Sequence, residues 1–189
     1  MRPPKVLLTL KHWQLFLVFA ALAVGAAFVQ LRLLARFNPR TDIRDVVVPL
    51  FAFTYVFLLI YLGWFWALGE FLFSRSPESQ RPNIRLFRLA LLYPLGYVPY
   101  FAAFLIKSAG NPTGIALIFP LHLLALGCLL YDMYFIAKSL KLAEHGRAFS
   151  FRDFAAEFFL LWFYPIGIWV LQPRVNRLAA SADKESGVK

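Results

Sequence analysis

WFYPIGIWVLQPRVNR, residues 162–177, begins apolar and aromatic, carries a proline and a glycine in its middle, and ends with two arginines. Whether this stretch crosses a bilayer or dips in and returns decides the topology of the whole chain. Counted from Phe151 to Gln172 it offers about 33 Å of helix, enough for a hydrocarbon core of about 30 Å. The part before Pro165 offers only about 21 Å. Proline removes one helical hydrogen bond and usually bends a membrane helix without ending it. Length alone therefore leaves both readings open.

The rest of the sequence sets the context. Of 189 residues, 60% are hydrophobic and 18% aromatic, and the mean hydropathy is +0.63. Soluble domains hold about 45–50% apolar residues, so the composition is that of an integral membrane protein. Five apolar segments stand out, at 13–31, 46–73, 86–106, 114–137 and 151–172. They form a single integral membrane domain over 1–177. The first follows Arg2, Lys5 and Lys11 and resembles a signal peptide, but its apolar run continues to Val29, which reads as a retained anchor. The expected fold is all-α: a polytopic bundle of four crossing helices and a fifth, Pro-kinked or re-entrant, C-terminal segment.

Charge placement favours the re-entrant form. Basic residues gather in the joints between apolar runs, where they meet anionic head groups and set orientation. If all five segments cross, they divide eleven against nine; if the fifth does not, fifteen against five. Both divisions put the N-terminus in the cytoplasm. The net charge of +10 thus belongs to membrane-flanking loops, and no nucleic-acid partner is expected. The fourth segment should continue as a wet helix through Lys138, Lys141 and Glu144 to a stop at Gly146. Ser150 and Asp153 fit a capping box that starts the fifth. Residues 178–189, polar and without an apolar period, read as a disordered tail.

Few side chains offer chemistry. With a cytoplasmic N-terminus, Glu70, Arg88, Asp132 and Glu157 fall at similar depth in the inner leaflet, a candidate intramembrane polar cluster. Such a group binds a cation, relays protons or grips a head group, or it pins helices together. His122 is the one histidine well inside an apolar run and is the candidate for proton transfer. No second histidine matches its depth, so no haem held by two imidazoles is expected. Cys128 is alone, no metal site can be read from spacing, and no cofactor is expected. Walker, GxGxxG, HExxH and Ser/His/Asp signatures are missing, which weakens an enzymatic reading. Tyr93-Pro94-Leu95-Gly96 and Tyr164-Pro165-Ile166-Gly167 share one pattern. Each proline frees a carbonyl one turn earlier, at Ala90 and Leu161, and each glycine lets a neighbouring helix come close.

Residues 165–176, PIGIWVLQPRVN, resemble the C-terminal end of small uncharacterised bacterial polytopic membrane proteins that close in a PIGIW…QPR.N pattern. The resemblance implies a bacterial inner membrane and carries no activity. Arg174, Asn176 and Arg177 then form a basic end available for docking. The expected function is a non-enzymatic accessory or structural subunit of a membrane complex, whose partners are anionic lipid and other membrane proteins or further copies of itself. The alternative is a small proton- or ion-linked transporter or channel that uses the inner-leaflet charges.

Overall fold

A computed structural model describes residues 5–36, 38, 41–108 and 112–187. All the regular structure among them is helical: α1 (Lys5–Thr9), α2 (His12–Arg36), α3 (Ile43–Arg75), α4 (Ile84–Lys107), α5 (Pro112–His145), α6 (Phe151–Trp162) and α7 (Tyr164–Gly187), with one 3-10 turn at Glu78–Gln80. Four of these, α2 to α5, are long and apolar enough to cross a membrane. They correspond to the first four apolar segments. The fifth segment is divided between α6 and α7.

Helix ends follow local chemistry. Asp42 caps α3 by accepting from the Arg44 amide, and Asn83 caps α4 by accepting from the Arg85 and Leu86 amides. Such side chains satisfy amide groups that a helix start leaves free. Beyond its apolar part α5 runs on to His145 and stops at Gly146, whose φ of +66° is left-handed. There the Gly146 amide donates to the Leu142 carbonyl. At the start of α6 the Ser150 amide donates to the Asp153 carboxylate at 2.8 Å. The stop and the capping carboxylate both lie where the sequence places them.

The bundle is close-packed at one end only. Around α1 and the start of α2, Leu8, Leu15 and Phe19 join Trp64, Phe65 and Leu68 of α3, Phe135 and Ile136 of α5, Phe154 of α6, and Ile168 and Val175 of α7 in one buried core. Gly69 brings α3 against α4: a Cβ there would overlap the Phe87 ring. Phe87 itself stacks on Phe135 of α5 at 4.2 Å. Toward the other end the buried set thins to Tyr97, Ile118 and Ala125. There α2 leaves Val24, Phe28, Leu31 and Leu34 exposed. In a membrane such faces meet lipid or another helix, because lipid tails are as apolar as the side chains.

The expectation of a disordered tail over 178–189 is corrected for 178–187, where α7 continues through Gly187; 188 and 189 lie outside the described residues. Alanine, which recurs in 178–187, and Lys184 and Glu185 are strong helix formers. An apolar period is not required to extend a helix already nucleated by packing.

Candidate functional site

The fifth segment breaks at Phe163. Its φ of −90° and ψ of 57° lie outside the helical range, and its amide closes α6 on the Phe159 carbonyl. Pro165 then sits in the first turn of α7, where a missing amide costs nothing and φ is already suitable. The chain does not bend and continue; it reverses. Leu160 of α6 lies against Gly167 of α7, and Glu157 of α6 is bonded to Arg174 of α7. These pairs lie on either side of the break, so the two helices run antiparallel as a re-entrant hairpin. With 12 residues, α6 reaches about 18 Å, a little over half of a hydrocarbon core.

Several residues of the 165–176 pattern shape this hairpin or tie it to the rest of the chain. The Leu161 carbonyl, in the last turn of α6, has no helical donor, and the Tyr61 hydroxyl of α3 donates to it at 2.9 Å. Gly167 allows contact with the Leu160 carbonyl, which a Cβ would overlap. Trp169 packs on His12 with ring centroids 4.7 Å apart. Gln172, fully buried, accepts from the Trp64 indole at 3.1 Å. Its amide nitrogen lies within bonding distance of the Leu7 and Leu10 carbonyls, and Asn176 donates to Leu10 at 3.2 Å. These carbonyls at the end of α1 have no helical donors, and α7 supplies them.

Arg174 is the ionic centre of that end. Its Nε and Nη2 donate to the two Glu144 oxygens at 2.8 and 2.5 Å, and Nη1 donates to Glu157 at 2.9 Å. Lys141 adds a 3.0 Å contact to Glu157. A bidentate guanidinium–carboxylate pair is the strongest form of such contacts. The Glu144 carboxylate first, then Glu157, hold the Arg174 guanidinium above its ordinary range. For Glu157 burial acts to raise the pKa, and the Arg174 and Lys141 bonds outweigh it and hold the carboxyl below the ordinary range.

The docking assignment therefore changes. Arg174 and Asn176 are engaged within the chain, where they fasten α7 to α5, α6 and α1; Arg177 is exposed. Their internal partners lie 30 and 166 positions away, beyond the reach of local pattern.

The four-residue inner-leaflet cluster resolves into three separate features. Glu70 and Arg88 form a bidentate pair at 2.6 and 2.8 Å between α3 and α4. Glu157 belongs to the Arg174 network. Asp132 belongs to neither: it is fully buried, and neither of its oxygens has a hydrogen-bond partner. His122 receives or donates a 3.0 Å bond with the Tyr97 hydroxyl, the packed and bonded state usual for a histidine between helices. Beside it the Tyr93 hydroxyl donates to the Leu121 carbonyl. Tyr93, Gly96, Tyr97, Tyr100 and Leu121 line an open apolar groove of about 390 Å³. Among the described residues no three His, Cys, Asp or Glu side chains gather to hold a metal ion.

No protein-family model, curated protein or solved structure matches the chain.

Proposed function

We propose that this chain is a non-enzymatic accessory or structural subunit of a membrane complex, in a bacterial inner membrane with its N-terminus in the cytoplasm. The hairpin supports this orientation. Because the fifth segment returns, the fifteen-against-five division of basic residues applies, and the richer side is the cytoplasmic one. Those residues also suit the chain to anionic head groups.

The observation that carries the reading is the contrast between the two ends of the bundle. At the end holding α1 and α7, polar side chains are engaged with the chain's own helices. At the other end α2 presents an apolar face that the chain itself does not cover, with Val24 70% and Leu34 73% exposed. A scaffold fastened at one end and open at the other is suited to receive a helix of a partner.

Photo-crosslinking in the native membrane tests this. A crosslinking residue at Val24 or Phe28 is expected to give a discrete adduct with another membrane protein, whereas one at Leu89, on the outer face of α4, gives lipid adducts only. Lipid adducts at every position, with the tagged chain purified alone and taking up protons or ions after reconstitution, would overturn the accessory reading in favour of transport.

A further inference from the structure

Among the described residues, Asp132 is the one buried charge-bearing side chain of the crossing helices without a hydrogen-bond or ion-pair partner. It sits in α5 with 0% exposure, and Oδ1 and Oδ2 are both sealed and unbonded. An ionised carboxylate sealed from solvent without a donor is strongly disfavoured. The uncharged acid is the form that the site accommodates.

Titratable groups that feel Asp132 include Tyr61 of α3 and Cys128 and Tyr131 of α5 itself. None of these carries a positive charge. The Tyr61 hydroxyl is already engaged with Leu161. Of the charged groups on the other helices that pack against α5, Arg88 of α4 is paired with Glu70, and Glu157 of α6 with Arg174 of α7.

A second observation points the same way. Buried side-chain atoms without partners are few in native proteins and call for an explanation, often an unseen water. Here they are Gln80 Oε1, both Asp132 oxygens, Ser139 Oγ and Glu157 Oε2. Asp132 and Ser139 are seven residues apart on α5, two turns, so they share one face about 10 Å apart along the axis. At Ser139 the end of α3 meets α5, where the Ser76 hydroxyl lies 3.5 Å from the Ser139 carbonyl. Gln80 lies in the short connection that Ser76 begins. Four of the five unpartnered atoms thus lie on α5 or in the connection that leaves α3 where it meets α5 at Ser139.

We propose that Asp132 is a proton-binding site inside the membrane, loaded from the 76–80 connection past Ser139. The ligand is a single proton. On binding it an O–H bond forms on one carboxylate oxygen, with the proton drawn from water at that end; on release the proton returns there. The site acts whether the chain works alone or in a complex.

Infrared spectroscopy of the full chain in lipid tests the proposal through the carbonyl stretch of a protonated carboxyl. Wild type is expected to show such a band that Asp132→Asn removes, that shifts in D₂O, and that is lost as pH rises. Ser139→Ala is expected to keep the band and slow its shift in D₂O. The hydrophobic reagent dicyclohexylcarbodiimide, which adds to protonated carboxyls, should label Asp132 and leave Glu157 unlabelled. Asp132→Asn is close to isosteric, and Asp132→Glu, expected to restore the band, controls for folding. Three results would overturn the proposal: no band attributable to Asp132; a band insensitive to both pH and D₂O, which marks a sealed structural acid; or labelling abolished by sodium ions at constant pH, which marks a metal-cation site. An unchanged D₂O shift in Ser139→Ala would overturn the route.

Discussion

The Tyr61 hydroxyl donates to the Leu161 carbonyl at 2.9 Å, joining the middle of α3 to the break of the α6–α7 hairpin. The carbonyl needs this donor because Leu161 lies in the last turn of α6, where carbonyls have no helical partner. Tyr61 also packs edge-on to Tyr164, with ring centroids 5.8 Å apart. Tyr61→Phe keeps the ring and removes the donor, leaving a buried acceptor unpaired. The expected cost is about 1–3 kcal/mol, read as a lower melting temperature in mild detergent. An unchanged melting temperature would mean that water or another donor replaces the hydroxyl.

Gly96 and Gly167 occupy the same place in their Tyr-Pro-x-Gly patterns and have opposite surroundings. A Cβ at Gly167 would overlap the Leu160 carbonyl, whereas a Cβ at Gly96 would meet nothing within 4 Å. Backbone cannot move aside as a side chain can, so Gly167→Ala should cost about 1–3 kcal/mol and splay the hairpin. Gly96→Ala should be neutral, or stabilise α4 by up to about 1 kcal/mol through helix propensity. Equal effects at the two glycines, measured by thermal unfolding, would show that the pattern has one meaning in both helices.

This difference marks how far the sequence reaches. The four crossing helices were legible from apolar runs, the end of α5 from Gly146, and the start of α6 from Ser150 and Asp153. All of these depend on neighbours within a few residues. Reversal at the fifth segment was legible only through the imbalance of basic charge. The break itself, at Phe163, lies two residues before the proline that suggested it. The partners of Gln172, Arg174 and Asn176 were not legible, because Leu7, Leu10, Glu144 and Glu157 reach them only through folding. Depth counting placed Glu70, Arg88, Asp132 and Glu157 at one level, but depth does not fix which side of a helix a residue occupies.

That last point can be tested by additivity. Arg88 bonds Glu70, and Arg174 bonds Glu144 and Glu157, with no residue in common. Arg88→Leu should cost about 1 kcal/mol or less, since Arg88 is 44% exposed in its side chain and exposed pairs contribute little. Arg174→Ala should cost about 2 kcal/mol, more than an exposed pair and less than a fully buried one, because it leaves two acids facing one lysine. Two separate networks predict that the double variant loses the sum of the two, within about 0.5 kcal/mol. A larger interaction energy would restore the single cluster.

Acid should loosen the hairpin through Glu157. Its carboxyl is pushed up by burial but held below the ordinary value of 4.5 by Arg174 and Lys141. A group depressed on folding contributes stability that is complete above its unfolded value and lost as pH falls through its folded value. The loss therefore begins near pH 4.5 and grows below it. Asp153, depressed mainly by its Ser150 hydrogen bonds, adds a loss of the same sign at the start of α6. Melting temperatures from pH 7 downward should stay level and then fall in this range. Glu157→Gln should start lower at pH 7 and fall less, and Asp153→Asn combined with it should flatten the remaining slope. A wild-type profile that stays level below pH 4 would mean that neither carboxylate holds the hairpin.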